Sequence, residues 1–305
     1  MQQSLFEDLE NFKGKEATHT GGKGEVFHDW YPYLEGFSSN FVDGVRKKYL
    51  PNAKTILEPF GGVGTTPIYL SIKNVKCIYS EVNPVLTHLI DAKSHILSLS
   101  SLKRKNLIKE LQKIILEIEK INSYQANEDL EESYKFLFKK SIYFENKNHK
   151  LILKLKSLVN QINDLDVKKL INVAIYSSLL SCSLLKRAGD VRYRTKKDLI
   201  KDPPKDIKKQ VTEKIILIIN DLKKLEKTYL IPKLFCNNAK DLIKKKEKLV
   251  DGVITSPPYL NGTNYFRNTK LELWFMGFIN KEIGLNKFRS DAVTAGINDV
   301  SKIKK

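Results

Sequence analysis

Apolar residues are distributed along this chain in two ways. Short, mostly apolar runs occur at Thr55 to Phe60, Val75 to Tyr79, Lys233 to Cys236 and Leu249 to Ile254, with the length and continuity of strands buried in a parallel sheet. Between the second and third runs the pattern changes. Leu102 to Ile121, Glu131 to Phe144, Leu151 to Ile162, Val167 to Lys186 and Ile207 to Lys227 place apolar residues three and four apart, with Lys and Glu between them. That spacing predicts amphipathic helices, and Pro203-Pro204 breaks the series before the last of them. A minimal α/β unit needs far fewer residues between successive strands. The chain is therefore read as α/β, with a large helical insertion over 99–230 between the parts 1–98 and 231–305.

Three of the strand ends carry candidate chemistry. The first run leads directly into Gly61-Gly62-Val63-Gly64-Thr65-Thr66, after which Pro67 to Leu70 begins a helix. Strand, glycine turn and helix form a nucleotide-binding unit, in which glycines let the backbone approach a ligand and take up positive φ. The Lys-Ser/Thr ending of a phosphate loop is absent. Glu81 follows about 20 residues later at the end of the second run, where an acid holds ribose hydroxyls. The fourth run ends in Thr255-Ser256-Pro257-Pro258-Tyr259. Two prolines cannot continue a sheet interior, so the strand stops there and the turn is stiff. Such a turn presents a hydroxyl, a carbonyl and an aromatic ring together. Tyr259 can stack on a planar base, while Ser256 and the Pro257 carbonyl accept hydrogen bonds from its amino group.

Ser256-Pro257-Pro258-Tyr259 resembles the catalytic motif of the amino-methylating DNA methyltransferases. In that family the Ser form is most typical of enzymes acting on the 4-amino group of cytosine, and an Asp form of adenine enzymes. The turn Phe60, Gly61, Gly62, Gly64 with Glu81 resembles the family's S-adenosylmethionine site, and by the same comparison Glu58 lies near the cofactor's amino group. The resemblance implies a Rossmann-like sheet of seven strands and direct methyl transfer to a flipped-out base in double-stranded DNA. It implies no metal and no covalent intermediate. On this reading 1–98 is the cofactor-binding half, 99–230 holds or reads DNA, and 231–305 carries the catalytic motif. For the cofactor's adenine, Asn238 stands where relatives carry an acid, and Asp241 is the competing candidate, equally suited to capping a helix. Gly21 to Gly24 and Phe27 to Phe37 resemble the family's cofactor-covering segment, or form a satellite aromatic core. A Pro-Pro-Tyr turn also serves RNA amino-methyltransferases, and a non-catalytic DNA-binding subunit would keep the same fold.

Composition agrees with a nucleic-acid partner. The formal net charge is +18 and the pI about 9.5, which favours a salt-dependent encounter with phosphates. Within the helical stretch, Lys186 to Arg194 reads as a helix end followed by a basic loop. There Arg187, Arg192 and Arg194 suit phosphate or guanine edges and Tyr193 suits stacking, against the plain alternative of a solvated loop. Asp202-Pro203-Pro204-Lys205 mimics the Asp form of the motif but follows a polar segment, and Lys205 replaces the aromatic. Cys77, Cys182 and Cys236 lack metal-ligand spacing and suit reduced thiols in a cytoplasmic protein. With no Pro-Cys nucleophile, carbon-5 methylation is not expected. The longest apolar stretch, Ile171 to Leu185, is broken by Asn172 and several serines and is too short and polar to span a bilayer. Residues 260–305 leave no room for three further strands, so a second polypeptide completing the sheet is expected. A cognate restriction endonuclease is a further expected partner.

Overall fold

The computed structural model describes residues 14, 17–33, 36–244, 250–258 and 265–291. Tyr259 lies outside the described residues. In chain order the elements are α1 (Ser39–Tyr49), β1 (Thr55–Glu58), α2 (Thr65–Ile72), β2 (Lys76–Ser80), α3 (Pro84–Ser98), α4 (Ser101–Glu119), α5 (Glu128–Phe138), α6 (Asn146–Gln161) and α7 (Leu165–Leu179). There follow β3 (Leu185–Ala188), β4 (Asp190–Tyr193), α8 (Lys196–Lys201), α9 (Ile207–Lys224), β5 (Lys233–Cys236), β6 (Gly252–Val253), α10 (Tyr265–Asn268), α11 (Lys270–Phe275) and α12 (Leu285–Asp291).

Four of the strands form one sheet in the order β5-β2-β1-β6, and every neighbouring pair is parallel. Taken as the first to fourth parallel strands, this order is 3-2-1-4, the doubly wound arrangement whose direction reverses beside β1. Ligands bind outside the carboxyl ends of such strands at the reversal, between β1 and β6. Of the apolar run Leu249 to Ile254, residues 252–253 form the strand. Asp251 fixes its register, because its Oδ2 accepts from the Lys54 and Thr55 amides at 2.7 and 2.8 Å.

The helices begin where their sequences supply caps. Asn83 accepts from the Val85 amide and is followed by Pro84 at the first position of α3, the favoured place for proline. Asn127, Asp164 and Asp206 cap α5, α7 and α9 in the same way. Between β2 and β5 the helices pack into one apolar cluster that is continuous with α3 and with Phe27, Trp30 and Tyr31 of the N-terminal segment. Trp274 of α11, fully buried, donates to the Leu130 carbonyl at 3.1 Å. A smaller, separate cluster gathers Val42 of α1, Leu70 of α2 and Ile56, Cys77 and Ile254 of the sheet region.

One expectation is corrected here. Lys186 to Arg194 is not a helix end and loop but an antiparallel hairpin, β3 with β4, in which Arg187 faces Val191 and Lys186 faces Arg192. Helix α7 ends at Leu179 because Ser181 and Ser183 turn their hydroxyls onto the Ser178 and Leu180 carbonyls, and Ser183 Oγ accepts from the Leu185 amide. Side chains of this kind compete with helical bonding. Beyond them the period is two: Leu185 and Val191 are buried, and Gly189, at φ 74°, turns the chain. Asp202-Pro203-Pro204 follows the short helix α8 and not a strand.

Candidate functional site

The carboxyl ends of β1, β2, β5 and β6 open onto one cleft of about 1280 Å³, open solvent at its mouth included. Glu58 to Val63, Glu81 to Asn83, Asn238 and Ser256 to Pro258 line it. The topology thus brings together the glycine turn, the acid after β2 and the Ser-Pro-Pro turn, although 173 residues lie between Glu81 and Thr255 in sequence.

The glycine turn is tight for definite reasons. The Gly61 amide donates to the Ser80 carbonyl at 2.8 Å, and a Cβ on Gly61 would lie 3.0 Å from Ile90 Cδ1 and 3.1 Å from Tyr79 Cδ2. Gly62 and Gly64 hold φ at 53° and 88°, the left-handed region that disfavours a side chain. Gly64 then caps α2.

Two carboxylates are built into the floor. Glu81 accepts from the Gly62 amide at 2.7 Å through Oε2 and from the Asn83 amide at 2.8 Å through Oε1, so it ties the glycine turn to the end of β2. Glu58 Oε1 accepts from the Phe60 amide at 3.0 Å and from Thr255 Oγ1 at 2.6 Å. This second bond links the ends of β1 and β6. Burial pushes both carboxyls up to about 7, against the opposing pull of their hydrogen bonds. A chain of net charge +18 therefore lines this cleft with two buried acids and, among the described lining residues, one cationic side chain, Arg187. Such a floor suits a ligand with cationic centres.

Asn238 lines the cleft, and its side chain accepts from the Lys240 amide at 3.0 Å. Asp241 sits within the 3-10 turn Ala239–Lys244 and is not among the residues lining the cleft, whereas Ala239 is. In the N-terminal segment Trp30 and Tyr31 belong to the core, whereas Tyr33, Gly36 and Phe37 line the cleft. The segment is thus both core and wall.

The basic residues of the hairpin are sorted by their partners. Arg187 lines the cleft and donates to the Pro32 carbonyl at 3.0 Å. Arg192 pairs with Asp198 at 2.7 Å at the surface. Arg194, 5% exposed, pairs with Asp202 at 2.7 Å and donates to the Ser183 carbonyl at 3.2 Å. Tyr193 stacks against Tyr143 with centroids 5.7 Å apart and keeps 48% of its surface exposed.

Three residues with structural roles at the cleft do not stand out in the linear pattern. Thr255 has been described. Asn83 donates through Nδ2 to Thr269 Oγ1 at 2.8 Å, and its signal is the Asn-Pro start of a helix. Lys93, 3% exposed, donates from Nζ to the Val63 carbonyl at 2.8 Å and so holds the glycine turn from below. Burial pulls its ammonium down to about 7. Its signal is a lysine within the apolar stripe Leu86, Leu89, Ile90 and Leu97 of α3.

An open α/β sheet with a ligand cleft at its reversal point is the class that fold and site define. Within that class the chain is similar to the Type II methyltransferase M.BsoBI of Geobacillus stearothermophilus, 25% identical over an alignment covering 98% of this chain and 62% of that protein. It is 23% identical to the Type II methyltransferase M.AvaI of Nostoc sp. and to the M.AvaI protein of Anabaena variabilis, over 96% of this chain and 62% of each. The chain thus spans 62% of the length of these curated relatives. No family model matches it, and no solved structure does.

Proposed function

We propose that this chain carries the cofactor and catalytic sites of an S-adenosylmethionine-dependent methyltransferase that modifies the exocyclic 4-amino group of cytosine in duplex DNA. The observation that carries the proposal is the convergence of Glu58, the glycine turn, Glu81 and Ser256-Pro257 at one reversal point of a parallel sheet. Similarity to two Type II methyltransferases supports it, as does the net charge of +18.

The cleft fits the cofactor. Glu81 has two of its carboxylate lone-pair directions engaged by the Gly62 and Asn83 amides, which leaves acceptor capacity for ribose hydroxyls. Glu58 supplies the negative charge for an ammonium group. Phe60, Gly61, Gly62 and Gly64 form the wall against which the methionine end rests, and Asn238 faces the adenine. When bound, S-adenosylmethionine supplies an electrophilic methyl group on a sulfonium.

The remaining chemistry belongs to the chain. Ser256 Oγ and the Pro257 carbonyl accept the N–H bonds of the target amine and turn its lone pair toward the methyl group, and Tyr259 stacks on the extruded base. The Thr255 to Glu58 bond of 2.6 Å makes the distance between base site and cofactor site a property of the sheet. Preorganisation of this kind is a large part of the barrier reduction for a two-substrate reaction. The helical stretch 99–230, with its hairpin beside the cleft, is the part proposed to hold DNA. Ser256 favours cytosine over adenine.

Transfer of a labelled methyl group to duplex DNA, followed by mass analysis of the nucleosides, tests the reading. N4-methylcytosine is the expected product. N6-methyladenine would reassign the base, label in RNA alone would reassign the substrate, and failure of the chain to bind S-adenosylmethionine would overturn the reading.

A further inference from the structure

The described cleft lining is sorted by charge, with Glu58 and Glu81 against the single guanidinium of Arg187. On the reading proposed above, Glu58 accounts for the ligand's ammonium and Glu81 for its hydroxyls, and the arginine is left over. Arg187 is supplied by the hairpin, yet it is fixed to the N-terminal wall through the Pro32 carbonyl at 3.0 Å, next to Tyr33, which also lines the cleft. Its Nε is buried and, among the described residues, has no hydrogen-bond partner. The buried Glu272 lies near enough to be influenced by its charge but forms no ion pair with it and accepts from Tyr31 Oη at 3.0 Å. A guanidinium held at one corner, partly shielded and touching no carboxylate among the described residues, is a site for a planar oxyanion, which it can grip through two parallel N–H bonds.

Resting on the reading of the cleft as an S-adenosylmethionine site, we propose that Arg187 binds the carboxylate of the cofactor. The two charges of the methionine end then meet complementary ones, the ammonium on the side of Glu58 and the carboxylate at Arg187, while Glu81 keeps the ribose hydroxyls. The exposed cations of the same region, Arg192 and Arg267, pair with Asp198 and Asp190 on the outer surface, where a duplex backbone has access. Arg187 is withdrawn from that surface. The hairpin thereby acts as a positioning element for the small molecule as well as a neighbour of the DNA. This explains why its tip is tied to the region beyond the Ser-Pro-Pro turn, through the Val191 amide and Asn268 Oδ1 at 3.1 Å.

Calorimetric titration of the wild-type chain, Arg187→Met and Arg187→Lys with S-adenosylmethionine and with its decarboxylated analogue tests the assignment. Loss of a charge-assisted pair predicts that Arg187→Met binds S-adenosylmethionine roughly ten- to a hundredfold more weakly. It should bind the decarboxylated analogue within about twofold of wild type, which also reports an intact fold, and Arg187→Lys should recover part of the loss. An equal loss for both ligands, or no loss for either, overturns the proposal. So does weakened duplex binding at unchanged cofactor affinity, which would place Arg187 on DNA. If the wild-type chain binds neither ligand, the reading of the cleft itself fails and takes this subsite with it.

Discussion

In the cleft, charge is buried and held by backbone: Glu81 is gripped by two amides and Glu58 by an amide and a hydroxyl. On the outer face of the hairpin beside it, charge is near the surface and held by other side chains, with Lys186 and Arg192 sharing Asp198. The first arrangement is stiff, because the groups that hold the acids are themselves set by a parallel sheet. The second can be exchanged for phosphates at little cost, since exposed ion pairs contribute only about 0–1 kcal/mol. Binding a small cationic ligand in one fixed pose needs the first arrangement; meeting a long anionic surface needs the second.

The largest expected effect comes from separating base stacking from cofactor binding. Tyr259→Ala should lower methyl transfer at least about a hundredfold, the scale of a misplaced substrate, with cofactor affinity unchanged. Calorimetry in which this variant loses the cofactor would place Tyr259 on the wrong side of the cleft. Glu81→Ala should weaken the cofactor by about 1–3 kcal/mol, the cost of ribose hydroxyls buried without their acceptor. The same titration reads it, and unaltered affinity would break the comparison at its stiff end.

A smaller effect follows from the titration of the floor. With both carboxyls pushed from their ordinary 4.5 up to about 7, the folded ligand-free protein holds more protons than the unfolded chain between those values. Its stability therefore falls as pH rises through that window. A cationic ligand needs the ionised forms, so binding releases protons and tightens with pH. Affinity should rise by up to about tenfold per carboxylate between pH 6 and 8, and Glu58→Gln should remove its share of that slope. A flat profile for the wild type would show that the acids do not face the ligand's charge.

In the hairpin, Arg194→Ala should destabilise the fold by about 1–3 kcal/mol in a denaturant titration, while leaving the salt dependence of duplex binding unaltered. Arg192→Ala should do the reverse, lowering the slope of log affinity against log salt by up to about 0.9, the share of one phosphate that is no longer neutralised. Equal behaviour of the two would erase the distinction between buried and exchangeable cations.

Much of the sheet is legible in the sequence because its signals are local. The runs at 55–60 and 233–236 contain β1 and β5, and the run at 75–79 covers β2 but for Ser80; each glycine or acid of interest sits at or just beyond the carboxyl end of such a run. The hairpin escapes a linear reading because the helical period of α7 can be carried on through Ser181 and Ser183, whose hydroxyls end it. The bonds that assemble the cleft are not legible at all. Thr255 to Glu58 spans 197 residues and Asn83 to Thr269 spans 186, and no local pattern specifies which polar side chains meet across such distances. Lys93 is an intermediate case: a charge within an apolar stripe announces burial, but its carbonyl partner at Val63 depends on how α3 lies under the glycine turn.

The pairing of β1 with β6 also orders events in time. β2 is available to β1 once Ser80 has been made, whereas β6 exists only after residue 253. At about 5–20 residues per second during synthesis, the second edge of β1 waits roughly ten to thirty seconds for its neighbour. Helical contacts over α3 to α9 form in microseconds to milliseconds, so that framework stands ready long before β6 is made. Throughout the interval β1 offers unpaired N–H and C=O groups to any passing strand. β6 arrives with Asp251 for the Lys54 and Thr55 amides and Thr255 for Glu58. One late docking step thus pairs the second side of β1 and brings the two halves of the cleft together.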